Sequence, residues 1–408
     1  MPEPELPEPE LPEPEVLAPS FYDRAHAVHR LWREGGGVRH ARFPGAAGIE
    51  GWVVTGYDDA RRLLADPRLS KQDAVQKFGR RTGRTEGPGE ALFTHMLNSD
   101  PPQHTRLRRL VQKAFTARRT AALRPMIEAH VAALLDEWEG REEAELIGEF
   151  ALPLPVAVAF DLFGASDADH EMLQVRGNTL GGGRGDGEVS VFTAEHMHAY
   201  LGALIALKRE NPDDGMLSAL IAARDEGDAL SADEITSMAF LLVVAGHQTT
   251  VNLIANGVHT LLTHPGSLDA LRADPSLMPG AVEEILRYES PSGLASLRYT
   301  TEPVTVGEAT VPEDEFVHIG LLGANRDPAV FADPDRFDIR RENASKHLAF
   351  GHGIHHCLGA PLARLQAGIA FTALLERFPG LRLAEGHEAR WQANPRHRGL
   401  LELPVRLR

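Results

Sequence analysis

The one cysteine of this 408-residue chain, Cys357, lies in the run Phe350-Gly351-His352-Gly353-Ile354-His355-His356-Cys357-Leu358-Gly359-Ala360. With no partner for an internal disulfide, it is an inert thiol, a nucleophile or a metal ligand. Its setting favours the ligand. Gly351, Gly353 and Gly359 let the backbone pass close to something flat or bulky. A helical pattern starts at once, with apolar positions Leu362, Leu365, Ile369, Leu374 and Phe378, and a helix N-terminus stabilises a thiolate. His352, His355, His356 and Cys357 are also the residue types zinc takes. Crowding them into one short run suits a tetrahedron poorly, and no C-x-x-C or H-x-x-x-H occurs elsewhere to complete such a site.

Three more groupings could do chemistry. Ala245-Gly246-His247-Gln248-Thr249-Thr250 sits in mid-helix, where small residues followed by hydroxyls make room for a ligand beside a proton-carrying group. The same pattern suits a helix–helix contact or a helix bent by threonine back-bonding, and the residues alone leave both readings open. His104 and Arg108, at i and i+4, share a helix face and can reach one carboxylate, unless each is a solvated charge. Glu284 and Arg287, at i and i+3, can pair, as on any surface helix.

Phe350, Gly353, Cys357 and Gly359 resemble the cysteine-ligand loop of the cytochrome P450 haem-thiolate monooxygenases, F-x-x-G-x-x-x-C-x-G, and the other groupings follow in that family's order. The resemblance implies a mainly α fold with small β-sheets, with haem b held between a long central helix and the cysteine loop. It implies Cys357 as the iron ligand, with Ala245, Gly246, Phe350, Gly351 and Gly359 against the haem. His104, Arg108, Arg298 and His355 would hold the propionates. Glu284 and Arg287, joined by Arg336 of Pro334-Asp335-Arg336-Phe337, would be structural. The thiolate would favour O–O cleavage. Thr249 would relay protons to dioxygen, beside a position where an acid is usual. Gln248 stands there instead and cannot give up a proton at neutral pH. Delivery through water or substrate, or uncoupled turnover, would follow.

The implied reaction inserts one atom of dioxygen into a C–H or C=C bond, with electrons from a ferredoxin and its reductase. No flavin or iron–sulfur module is attached, since there is neither spare chain nor a second cysteine. Across almost all of 17–408 the resemblance is to actinobacterial enzymes that tailor macrolides and other polyketides in antibiotic biosynthesis. Steroid, terpenoid or fatty-acid substrates, oxidative ring or bond formation, and a non-catalytic haem protein are the other readings. Thr249 and the propionate set argue against the last. Substrate residues by matching position are Leu242, Val243, Leu294, Ala295, Ser296, Arg396 and His397. Arg396 and His397 would contact a carboxylate or a sugar oxygen, or face solvent, with solvent preferred. Arg106, Arg109, Lys113, Arg118 and Arg119 form a basic run that suits an acidic ferredoxin as well as it suits plain solvation.

The elements that must place these residues are mostly helical from 100 to 290, with β-rich sequence near 38–56, 294–320 and 380–406. A helix near 231–264 opens on the capping box Ser231-Ala232-Asp233-Glu234. Residues 2–15 repeat Pro-Glu-Pro-Glu-Leu, so 1–16 reads as a disordered acidic tail and 17–408 as one domain. Gly- and Arg-rich 79–89 and Gly-rich 181–187 read as connectors that, by resemblance, gate substrate access. A net charge of −16 argues against nucleic acid. The chain starts without a basic or apolar leader, and the long helix is polar at its middle, so the expectation is a soluble, cytoplasmic, monomeric protein with no membrane partner.

Overall fold

The longest helix, Ala232–Thr263, is set by its start. The Glu234 N–H donates to the Ser231 hydroxyl (3.1 Å) and the Ser231 N–H donates to the Glu234 carboxylate (2.9 Å), so two otherwise orphaned donors are satisfied reciprocally. The computed structural model describes residues 13–45, 49–83, 90–164, 189–225 and 227–408. The glycine-rich 181–187 segment, residues 84–89 and the repeat up to residue 12 lie outside the described residues. By length and composition the long helix could cross a membrane, but 56% of its apolar window is buried inside the fold. It is the central helix of a bundle, packed against Pro153–Phe163, Val189–Glu210, Met278–Tyr288 and Ala360–Arg377. Gly257 permits the closest approach. A Cβ there would stand 3.2 Å from Ile285 Cγ2 and press into the Phe371 ring.

All three β-rich segments form strands, and short strands at Glu15–Val16, Leu69–Ser70, Glu143–Glu145, Arg224–Asp225 and Asp228–Ala229 add to them. A mixed sheet runs Glu15–Val16, Val38–Arg42, Glu50–Val54, Phe316–Ile319, Arg298–Thr300, Leu69–Ser70. Glu15 and Val16 pair in parallel with Ala41 and Arg42, so the last two residues assigned to the tail belong to the folded domain. Two pairings position the site. Phe316 and Val317 pair antiparallel with Tyr299 and Arg298, which seats Arg298 in the sheet. Leu69 and Ser70 pair with Thr300 and Tyr299, which delivers Lys71 to the same place. A second sheet joins Arg382–Leu383, Pro404–Arg406 and Glu143–Glu145, tying the C-terminus to the bundle.

The first helix, Phe21–Glu34, is pinned to the C-terminal turn through a buried carboxylate. Glu289 accepts from His26 Nε2 (3.0 Å) and Arg398 Nε (2.9 Å), and Arg398 lies over the Trp391 ring. Nearby His29 packs between Phe21 and Trp32 with neither ring nitrogen bonded, and His318 donates to the Glu50 carbonyl (3.2 Å). Burial penalises the charged form of each ring, lowering His26 from its ordinary 6.5 to about 4 and His29 and His318 to about 3. The unfolded chain therefore binds protons before the folded one does. The stability these rings contribute is complete above about pH 6.5 and is lost as pH falls through the folded values. We expect the thermal midpoint to fall steadily between pH 6.5 and 4; a flat profile across that window would contradict the burial of these neutral rings.

Candidate active site

The cysteine loop is shaped by two left-handed glycines, Gly351 (φ 72°) and Gly353 (φ 75°). A side chain at 353 would also crowd Ala65 Cα and the Leu64 carbonyl at 3.1 Å. The Gly351 N–H donates to the Leu348 carbonyl (2.8 Å), that of His356 to Gly353 (3.0 Å), and that of Cys357 to Phe350 (2.9 Å). Phe350 is held by the guanidinium of Arg364 over its ring (4.6 Å to the centroid), itself paired with Glu283 (2.5 Å). Cys357 keeps accessible surface although it lies deep among protein atoms, so it faces a space inside the molecule. Burial pushes its thiol up, while the N–H groups of Gly359 and Ala360 and the charges of Arg108 and Arg364 pull it down.

The middle of the central helix faces open space too. Val244 is 44% exposed, Ala245 and Gly246 are exposed, and a Cβ on Gly246 would meet nothing within 4 Å, although most residues on either side are core. Leu242 and Val243 are half-buried beside them. One helix, Gln103–Gln112, is tied to both walls. Arg106 pairs with Glu234 (2.6 Å) at the start of the central helix and with Asp228 (2.7 Å). Arg108 donates to the His356 carbonyl (2.7 Å), and the His104 and His355 rings lie 4.3 Å apart. Arg106 is thus spent inside the fold and leaves the basic run proposed for docking.

Around the cysteine loop stand cations and hydrogen-bond donors with too few acceptors. His104 is buried with neither ring nitrogen bonded. Arg298 is buried and donates to the Ser296 carbonyl (3.0 Å). Lys71, 1% exposed, donates to the Ser296 hydroxyl (2.5 Å). Burial lowers His104 to about 4, Arg298 to about 10, and Lys71 and His355 well below their ordinary values, with neighbouring cations adding to the shift on all but Arg298. Asp100 is the carboxylate that acts on His104, Arg298 and Lys71, and it already accepts from the Ser70 hydroxyl and the Lys71 N–H (3.1 Å). These donors fit a flat, largely apolar group that carries two carboxylates and is held through sulfur, which is haem b. No set of three or more His, Cys, Asp or Glu side chains is arranged to hold a metal ion among the described residues.

Other expectations need correction. Leu294 packs with the first helix and Ala295 with the sheet, so neither faces the open space. The Ser296 hydroxyl is taken by Lys71. Arg396 and His397 keep some accessible surface, yet both are enclosed by protein, so they face inward rather than the bulk solvent preferred for them. Arg336 is 70% exposed and reaches only Asp338 (3.5 Å). The second arginine at Glu284 is Arg341, whose Nε donates to Glu284 (3.2 Å), because the turn at 333–336 leaves only the Arg336 carbonyl facing Arg287. Lys71 and Arg341 were missed. Arg341 had a signal, the Arg340-Arg341 pair a few positions after Arg336; Lys71 had none. Thr249 donates to the Ala245 carbonyl (3.0 Å), and the Gln248 amide donates to Asn252 Oδ1 (3.0 Å).

A family model described as Cytochrome P450 matches residues 191–390. Cytochrome P450 107B1 of Saccharopolyspora erythraea is 49% identical over 365 residues, covering 88% of this chain and 90% of the relative. Mycinamicin IV hydroxylase/epoxidase of Micromonospora griseorubida is 41% identical over 362 residues, covering 88% and 90%. The solved tirandamycin C-bound P450 monooxygenase TamI is 41% identical, with a TM-score of 0.87 over 97% of this chain and all of the other.

Arg341→Met removes one of the two guanidinium partners of Glu284, which keeps Arg287, at the cost of a charged hydrogen bond, about 1.5–3 kcal/mol. An exposed arginine costs about 0.5 kcal/mol or less. Arg341→Met should therefore lower unfolding stability by several times more than Arg336→Ala, as read by denaturant titration. The reverse order would restore Arg336 to the cluster.

Proposed function

This chain belongs to the cytochrome P450 family, and from that membership we propose that it hydroxylates or epoxidises a bulky secondary metabolite of macrolide or polyketide type. It is a haem b-binding monooxygenase, closely related to macrolide- and polyketide-tailoring enzymes, and it acts on a small molecule with the help of a redox partner. In our reading the electrons come through a ferredoxin and ferredoxin reductase, and the enzyme works as a cytoplasmic monomer. The observation that carries the site is the deep Cys357 facing an internal space rimmed by under-compensated cations. The substrate class is supported by two relatives named for mycinamicin IV and tirandamycin C. A relative 40% identical is named Vitamin D(3) 25-hydroxylase, which keeps a steroid as the second reading.

When bound, haem b supplies the activation of dioxygen for insertion of one oxygen atom. The rest falls to the chain. Cys357 would hold the group through sulfur. His104, Arg108, Arg298, His355 and Lys71 would take its two carboxylates, which relieves their mutual repulsion. Ala245 and Gly246 leave room on the opposite wall, and Leu242 and Val243 offer apolar surface to a substrate. The Thr249 hydroxyl commits its proton to the Ala245 carbonyl and keeps acceptor capacity for water. Gln248 supplies no titrating proton there, so protons reach Thr249 through solvent.

Two outcomes follow. The dithionite-reduced protein treated with carbon monoxide should give a strongly red-shifted Soret band that Cys357→Ser abolishes, and spin-state titration with a macrolide and steroid panel should respond to the macrolides. A globin-like band in the parent would sink the thiolate assignment. Gln248→Glu should raise the product formed per NAD(P)H consumed, since a titrating carboxyl joins Thr249. It should also cost about 1 kcal/mol of stability through the lost bond to Asn252. Unchanged coupling would remove Gln248 from the proton path.

A further inference from the structure

Arg396 is a cation with nothing to pair with. Its guanidinium makes no hydrogen bond or ion pair with any described residue, although it is enclosed by protein and keeps accessible surface toward the interior. The charged groups it acts upon are Lys71 and the rings of His318 and His397, all of which it disfavours as cations, and no carboxylate raises it. A buried, unpaired charge is costly, and natural folds keep one where a ligand supplies the other half.

The backbone holds it in place. The Arg396 N–H donates to Asn394 Oδ1 (2.9 Å), and the Gly293 N–H donates to the Arg396 carbonyl (2.9 Å). His397 bridges to Ser292, and the Arg398 N–H donates to the Pro291 carbonyl (3.0 Å). A side chain at Gly293 would clash with the Pro395 carbonyl, so the turn lies flat on 291–293. The backbone of both segments is therefore fixed.

Charge bookkeeping separates this arginine from the haem set. Lys71, Arg108 and Arg298 stand near the cysteine loop, where Asp100 and two propionates would suffice to balance them. Arg396 is left over. Next to it in the chain, His397 Nδ1 is buried without a partner, and His247, whose Nε2 is also buried without one, feels His397. Three polar side chains without described partners, two on the C-terminal turn and one on the central helix, are thus linked through His397.

We propose that Arg396, flanked by His397 and His247, binds a carboxylate of the substrate, so that the bulky metabolite oxidised here is an acid. The fork of a guanidinium matches a carboxylate in two parallel hydrogen bonds, which fixes the substrate's orientation as well as its affinity. This rests on the haem-thiolate reading above, and the experiment separates the two.

The haem-loaded protein is titrated with dodecanoic acid and with methyl dodecanoate, probes that differ only in charge, following the spin-state shift. The acid should bind about tenfold or more tighter than the ester, the size of a charged hydrogen bond. Arg396→Leu should bring the two within about twofold, with haem content retained and the thermal midpoint not lowered. Arg396→Lys should keep part of the preference, and it serves if the leucine variant folds poorly. Equal binding of acid and ester to the parent, binding of neither, or a preference that survives Arg396→Leu overturns the proposal. Loss of haem from Arg396→Leu also overturns it, by moving the arginine to the propionates. If the reduced, carbon monoxide-treated parent lacks the red-shifted band, the haem-thiolate reading fails first and takes this proposal with it.

Discussion

A wholly buried ion pair organises the half of the protein that carries the cysteine. Glu284 and Arg287 have no exposed side-chain surface and meet at 2.7 Å. Such a pair adds little net stability over an apolar one, because desolvation offsets the attraction. Its value lies in what it holds. Arg287 donates to the carbonyls of Asn325 (3.1 Å), Pro334 (2.8 Å) and Arg336 (3.2 Å). Glu284 accepts from the Asp338 N–H (2.9 Å) and Arg341 (3.2 Å). The stretch from 325 to 341 has no strand ladder or long helix to satisfy its backbone, and these two side chains do so instead. The same stretch hands on the constraint, since Asn325 Oδ1 accepts from the Leu348 N–H (2.6 Å), Leu348 from Gly351, and Phe350 from Cys357. The sulfur is placed by a relay of hydrogen bonds that starts behind the site.

Against that fixed sulfur the interior cations read as a demand for anions. Lys71, Arg298 and His104 sit where burial penalises charge, and cations crowd Lys71 and His104 further. Two strand pairings and one helix face bring them together from segments far apart in the chain. A domain does not gather such groups for stability, because a cluster of like charges out of water opposes folding. Two haem propionates would resolve most of the conflict and leave Arg396 over.

Local signals survived the passage from sequence to fold. The capping box at Ser231 and Glu234 involves four consecutive residues, and the structure forms both of its hydrogen bonds. The cysteine loop was legible for the same reason, since its glycines, its sulfur and the following helix act within a dozen residues. Lys71 was illegible because its partner Ser296 is 225 positions away and meets it only through strand pairing. Arg336 and Arg341 share residue type, charge and segment. What separates them is a turn at left-handed Asp333, which no hydrophobic period announces. Leu294 and Ala295 looked like pocket residues by position, but the sheet's own core claimed them first.

The glutamine at 248 has a physical reason in the same geometry. Gln248, Asn252 and Asn256 recur every fourth residue and so share a face of the central helix. Gln248 donates to Asn252 Oδ1 (3.0 Å), Asn252 donates to the Pro291 carbonyl (3.4 Å), and Asn256 donates to the Arg398 carbonyl (2.8 Å). This polar ladder backs both the helix that borders the internal space and the turn that carries Arg396 and His397. A carboxylate at 248 has no hydrogen to give Asn252 Oδ1, and turning the Asn252 amide to suit it would forfeit the bond to Pro291. An amide at 248 therefore favours the ladder over a titrating proton. That choice makes sense if the substrate-binding turn must be held rigidly, as an arginine fixed to grip one anionic group requires.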